Sequence, residues 1–323
     1  MKAVVQSGYG TADTWRIDEV PAPTPAAREV LVRVRAAGID RGTWHLMTGL
    51  PLLLRLGFGL RGPRVPVPGR DLAGVVEAVG SEVSRFTVGD EVFGTTGRGS
   101  FAELACARED KLALKPAVLS FEAAAAVPVS AVTALQGLRD IGRLRPGQQV
   151  MVIGASGGVG SYAVQLAKAF GAEVTGVCSG AKADFVTALG ADHVLDYTRS
   201  RIDETGRRYD LVLDIGGIRP VSQLRKVLTE TGALVIVGGE GGDRWLGGFH
   251  RGLAAAARSP FLRHRLAMFV AKENAADLEE LAELATRGAF RPAVDRAFPL
   301  EEAAQAMAHL ESGRVRGKVV VTI

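Results

Sequence analysis

The stretch "VIGASGGVGSYAVQLAKAFGAEV", residues 152–174, constrains this chain more than any other. It closes an apolar run, "QQVMVIGA", of the kind found in strands buried on both faces. Gly154, Gly157 and Gly160 then recur at three-residue steps. A helical period follows, with Val159, Ala163, Leu166 and Phe170 on one face. A second strand, "AEVTGVCS", opens close behind the helix. Glycine allows the tight turn and lets backbone amides approach a diphosphate, and the helix N-terminus adds unpaired donors and partial positive charge. The turn predicts a dinucleotide site in which Ser156, Gly157, Gly158 and Val159 face the diphosphate. The bland alternative is a structural turn against a tightly packed helix. The run departs from G-x-G-x-x-G, and it lacks the lysine of a nucleoside-triphosphate loop.

Further strands follow in alternation with helices: "HVLDY", "YDLVLDIGG", "GALVIVGG" and "RLAMFVA". Such alternation predicts an α/β fold, a doubly wound parallel sheet over residues 124–271. The preceding part reads differently. "EVLVRVRAAGI" alternates apolar and polar residues, and short glycine-punctuated strands continue to about residue 120 without a long helical period. A partly open β-barrel over residues 1–123 is expected. "SFEAAAAVPVSAVTALQGL" then turns helical, with Ser120 as N-cap. The tail, residues 272–323, carries two amphipathic helices and a closing strand. It is expected to rejoin the β-rich domain, which makes that domain discontinuous.

The end of the second strand, "TGVCSGAK", bears on cofactor choice. A site for NADH commonly carries an acidic residue there, on the ribose 2′-hydroxyl. This chain has Ser179 and then Lys182, whose hydroxyl and ammonium suit a 2′-phosphate. NADPH is the expected cofactor, although Lys182 reads equally well as a solvated residue of the next helix. Tyr197, after the third strand, either covers the adenosine end or packs at the surface.

Composition narrows the partners. A net charge of +4 is spread along 323 residues rather than clustered, which disfavours nucleic acid. Two cysteines build neither a disulfide framework nor a four-thiolate zinc site, and their scarcity suits a reducing, cytoplasmic setting. The N-terminus lacks the apolar core of a signal peptide. "LMTGLPLLLRLGFGL" is broken by proline, arginine and glycine, so no membrane span is expected.

A β-rich first part, a glycine-rich nucleotide domain and a returning tail together resemble the medium-chain dehydrogenases/reductases, with a GroES-like domain beside a Rossmann domain. The resemblance spans nearly the whole chain and rests on "PGRDLAGVVEAVGSEVSRFTVGDEVFG", "GSFAELA", "VIGASGGVGSYAVQLAKAFGA" and "RGKVVV". It is nearest to the zinc-independent quinone oxidoreductase branch. Zinc-dependent members carry ligands at positions that match Asp40 and Arg41, then Arg70 and Asp71, then a site near Val129. Arg41 and Arg70 are cations and cannot ligate zinc, and the cysteine-rich loop of those members is missing. No metal is expected.

The resemblance also gives "GIDRGTWH" a meaning. His45 becomes the candidate to contact the nicotinamide ribose or donate a proton, against a plain packed histidine beside Trp44. Asp40 is read as holding His45 or a substrate hydroxyl, or as pairing with Arg41 or Arg70. Thr133, Val237 and Gly238 match cofactor contacts in relatives. A homodimer is implied, through the "RLAMFVA" edge. The function implied is a zinc-free, NADPH-dependent transfer of hydride to a small-molecule electron acceptor, a quinone or an α,β-unsaturated carbonyl. The alternatives are a non-catalytic NADPH-binding redox sensor and a metal-free alcohol dehydrogenase.

Overall fold

The computed structural model describes residues 1–239 and 242–323. Fifteen strands run through the described residues. They are β1 (Lys2–Gln6), β2 (Trp15–Glu19), β3 (Glu29–Ile39), β4 (Asp71–Val79), β5 (Glu91–Thr95), β6 (Leu104–Arg108), β7 (Leu112–Leu114), β8 (Gln149–Ile153), β9 (Glu173–Cys178), β10 (His193–Asp196), β11 (Tyr209–Asp214), β12 (Leu228–Ile236), β13 (Arg265–Met268), β14 (Val294–Pro299) and β15 (Lys318–Thr322). The chain forms two compact units: residues 1–132 with 273–323, and residues 133–272.

The first unit is the GroES-like one. Its main sheet runs β14-β15-β3-β4-β5-β7, and β6 pairs with β3. All these pairings are antiparallel except β14 with β15. β3 organises the unit. Val30, Val32 and Val34 are buried on alternate positions, while Arg33 and Arg35 stay exposed. Period-two alternation is what lets one face enter a core and the other meet water. The core gathers these valines with Phe101, Met47, Leu72 and the tail residues Phe298 and Val319. The tail's return is therefore a packing event, since β15 lies directly on β3.

Three details differ from the sequence reading. The run of short strands is interrupted after β3, where residues Arg41–Thr48 form a helix. A helix this short carries too few turns for a period to stand out in sequence. β14 is an additional strand that "RPAVDRAF" does not announce, because its burial is confined largely to Phe298. The units divide after Val132 rather than after residue 123, because the helix Phe121–Ala125 packs on β3 and β4.

The second unit is a six-stranded parallel sheet in the order β10-β9-β8-β11-β12-β13. Numbered from β8, this is the doubly wound order 3-2-1-4-5-6, with the switch point between β8 and β11. β8 is buried at every position but the first, as a strand covered on both faces requires. The helix after it, Gly158–Ala169, buries Tyr162, Val164 and Ala167 as well as Ala163 and Leu166. It is enclosed more widely than a single apolar face.

Candidate functional site

In the second unit the site is a turn and two strand ends. Gly154 takes φ +86°, open to glycine but strained for other residues. A Cβ on Gly160 would stand 2.1 Å from the Gly154 carbonyl oxygen, so the first helical turn can lie this close to the strand end only with glycine there. The helix Gly158–Ala169 begins at Gly157 with no side-chain cap. Its first-turn amides are left as donors at the positive end of the helix, which is what an anionic diphosphate fits. Ser156 is nearly buried beside this turn, with Gly157, Gly158 and Val159 partly exposed along it.

Ser179 follows β9 directly and is half-buried. Lys182 stands at the N-cap position of the next helix, Ala183–Ala188, without a side-chain cap, and lies near Cys178, where its charge opposes the upward push of burial on the thiol. Tyr197 is 53% exposed, as a residue free to lie over a ligand would be. A carboxylate that the sequence reading passed over stands here too. Asp196 pairs in register with Cys178, level with the end of β9. A Cβ on Gly180 would meet its Oδ2 at 2.4 Å. Asp196 accepts from the Thr198 amide at 2.9 Å and hydroxyl at 2.7 Å, which hold it below the usual carboxylate range, and Arg199 lies 3.6 Å away. Aligning "HVLD" beside "TGVC" as parallel neighbours is the signal that finds it.

At the far side of the switch point, the Val237 and Gly238 amides both donate to the Asp214 carbonyl, at 3.0 and 3.3 Å. Asp214 itself is fully buried, pairs with Arg251 and accepts from the Gly217 amide at 3.2 Å. Thr133 is nearly buried on the helix Pro128–Gln136.

In the first unit, the polar cluster after β3 is organised by the helix Arg41–Thr48. Asp40 is its N-cap: Oδ1 accepts from the Thr43 amide at 2.7 Å and hydroxyl at 3.0 Å. Thr43 is fully buried. Asp40 therefore does not hold His45, and the corresponding expectation is corrected; a cap satisfies the orphan amides of its own helix first. Its Oδ2 is buried without a hydrogen-bond partner. His45 sits one turn on, its Nδ1 2.6 Å from the Leu50 carbonyl oxygen. A carbonyl only accepts, so Nδ1 carries the proton. Nε2 is then an acceptor in the neutral ring and a donor only in the imidazolium. Trp44 packs edge-on to the His45 ring at 5.0 Å, and Arg41 stacks on Trp44 at 5.2 Å.

Behind this helix lies a charge network. Arg70 donates from Nη2 to Glu273 at 2.9 Å. Burial works against its charge, but Glu273, Asp40 and Asp71 outweigh that and raise its pKa, keeping it cationic. Asp71 is fully buried, accepts from the Val129 amide at 3.0 Å, and pairs with Lys318, itself buried, at 3.1 Å. Burial pushes the Asp71 carboxyl up to about 7, against the pull of Lys318. Positions 40, 70, 71 and 129, which match zinc-ligand positions in zinc-dependent members, do converge here. The residues that occupy them do not fit the metal: a guanidinium stands among them, and Asp71 is committed to Lys318. Among the described residues no three His, Cys, Asp or Glu side chains gather in a metal-binding group. The apolar loop nearby exposes Leu53, Leu56 and Leu60. No helix among the described residues is long and apolar enough to cross a membrane.

Comparison with known proteins places this geometry. Residues 26–117 match the family model for the alcohol dehydrogenase GroES-like domain. Residues 189–321 match the model described as zinc-binding dehydrogenase. The chain is 31% identical to the chloroplastic quinone-oxidoreductase homolog of Spinacia oleracea, over 99% of this chain and 98% of that protein. It is 33% identical to the chloroplastic NADPH-dependent alkenal/one oxidoreductase of Arabidopsis thaliana, over 99% of this chain and 79% of that one. Among solved structures, the quinone oxidoreductase from Coxiella burnetii superposes with a TM-score of 0.87 at 28% identity, covering 100% of this chain and 99% of that one.

Proposed function

This chain belongs to the quinone oxidoreductase branch of the medium-chain dehydrogenases/reductases and is an NADP-dependent oxidoreductase, and from that premise we propose that it reduces quinones or α,β-unsaturated carbonyls without zinc. The observation that carries the zinc-free reading is the Arg70 guanidinium, paired with Glu273, among positions that would otherwise hold ligands. When bound, NADPH supplies a hydride, and an electron-poor acceptor takes it without Lewis-acid help. The protein's part is to bind, orient and supply protons.

The uncapped helix start at Gly157 holds the diphosphate, with Ser156, Gly158 and Val159 along it. Ser179 and Lys182 receive the 2′-phosphate. Asp196 does not oppose this, since Thr198 donates twice to its Oδ1 and Arg199 lies 3.6 Å from its Oδ2. Tyr197 covers the adenosine end. Thr133, Val237 and Gly238 contact the nicotinamide side. His45 offers Nε2 to the nicotinamide ribose as an acceptor, or delivers the proton as imidazolium. Asp40 serves by fixing the helix that carries His45. The protein is read as a cytoplasmic homodimer. The two buried, unpaired cysteines support the compartment, and the edge position of β13 supports the dimer.

The test is NADPH consumption across a panel of quinones, enones and alcohols, with metal analysis of the same sample. Oxidation of NADPH by quinones or enones, with no stoichiometric zinc, is the expected result. Tight NADPH binding with no turnover on any acceptor would indicate a sensor instead. Light scattering should return the mass of two chains.

A further inference from the structure

We propose that Arg70 is the oxyanion-binding residue of this enzyme: its guanidinium donates to the acceptor's carbonyl oxygen as negative charge collects there. The inference rests on the hydride-transfer reading above. Three observations carry it. The first is a free donor. Arg70 spends only Nη2, on Glu273; among the described residues no acceptor is recorded for Nη1 or Nε. The side chain is one-third exposed, 33%, so a ligand can reach it. The second is fixation. Glu273 holds one end of the guanidinium and is itself only 12% exposed. Nη1 lies over the start of the Arg41–Thr48 helix, where a Cβ on Gly42 would stand 3.4 Å from it and 3.1 Å from Asp40 Oδ1. The third is charge. Asp40 Oδ2 is buried without a partner nearby, and Asp71 is taken by Lys318 and Val129. Neither carboxylate is hydrogen-bonded to Arg70, so both keep it cationic without consuming its remaining donors.

The chemistry needs such a group. When hydride adds to the β-carbon of an enone, the C=C pair shifts to form the enolate and the negative charge settles on oxygen. A proton, from the His45 imidazolium or from solvent, then reaches the α-carbon, the hydride's electron pair having come from NADPH. In a quinone the same charge settles on a ring oxygen. A preorganised N–H donor at that oxygen stabilises the transition state more than the ground state. The position matches one at which zinc-dependent members hold a metal ligand, so this chain has a fixed guanidinium in place of a ligand to a metal cation.

The experiment compares Arg70→Gln with Glu273→Gln. Loss of one oxyanion donor commonly costs about 10²–10³ in kcat. Arg70→Gln should lose that much on an enone while the NADPH-induced melting shift stays as in the wild type. Glu273→Gln keeps the guanidinium and should lose less than about tenfold, below the cost of the donor itself. A second reading needs no turnover. 4-Nitrophenol, titrated by absorbance with the chain alone, should ionise at lower pH when bound to the wild type, and this shift should vanish in Arg70→Gln. Should Arg70→Gln not fold, Arg70→Lys keeps the charge facing Glu273 but replaces the rigid fork with one nitrogen, which cannot hold Glu273 and the acceptor in the same geometry, and should still lose about tenfold or more. Wild-type kcat in Arg70→Gln or Arg70→Lys, equal losses in the Arg70→Gln and Glu273→Gln variants, or an unchanged nitrophenol shift would each overturn the inference and leave the hydride-transfer reading intact. A wild-type chain inactive on every acceptor would overturn both.

Discussion

At the scale of single residues, His45 and Asp40 turn out to have separate duties. Asp40 is committed to Thr43, and the Leu50 carbonyl commits Nδ1 of His45. That leaves Nε2 as the one ring atom free to act. A positioned general acid contributes about 10²–10⁴ in rate. His45→Phe should therefore lower kcat by about 100-fold while the NADPH-induced melting shift is kept; unchanged steady-state kinetics would remove His45 from the mechanism. Both residue types were legible in "GIDRGTWH", but their relation was not. Whether an acid five residues before a histidine touches it depends on a helix whose first turn only the fold reveals.

At the scale of elements, the glycine-rich turn was readable because its chemistry is local: a strand, a tight turn and a helix N-terminus each leave their mark in a short window. Gly160→Ala places a Cβ where the Gly154 carbonyl already sits, at 2.1 Å. The helix must back away from the strand end, and its donors with it. The expected outcome is loss of measurable NADPH binding in a fluorescence titration, with the β-rich unit's circular-dichroism signal retained. Full affinity would mean that the turn does not set the cofactor's position. The ion pair that links β4 to β15 across β3 is the opposite case. Asp71 and Lys318 lie 247 residues apart in sequence, and nothing local announces their contact at 3.1 Å. Removing one partner of a buried pair costs about 3–5 kcal/mol, whereas replacing both with apolar residues is often nearly neutral. Asp71→Ala should therefore lower the stability of the β-rich unit by that amount in urea unfolding, and Asp71→Leu with Lys318→Met should recover most of it. Equal losses in the two variants would show that the pair adds nothing beyond its packing.

At the scale of the whole molecule, sequence periodicity predicts the two architectures, because parallel strands read as unbroken apolar runs and β3 reads as strict alternation. It does not predict Asp196 level with the end of β9, since level neighbours in a parallel sheet are separated by a whole helix in sequence. That carboxylate sharpens the last prediction. Ser179 and Lys182 favour a 2′-phosphate, while a carboxylate in the same place would favour a 2′-hydroxyl. The Thr198 bonds to Oδ1 and Arg199 beside Oδ2 tip the expectation toward the phosphate, by holding one oxygen of Asp196 and offsetting its charge. A ligand that binds only the folded state stabilises it by about 2.7 kcal/mol at a hundred times its dissociation constant. For a unit of this size, that amounts to a melting shift of about 5–10 °C. NADPH should produce such a shift at concentrations where NADH produces little. Lys182→Ala should narrow the gap between the two cofactors, and Thr198→Val, which removes the hydroxyl bond to Asp196 Oδ1 and keeps the amide bond, should narrow it further by weakening NADPH. Equal shifts for NADPH and NADH in the wild type would assign the ribose end to Asp196 and overturn the phosphate preference.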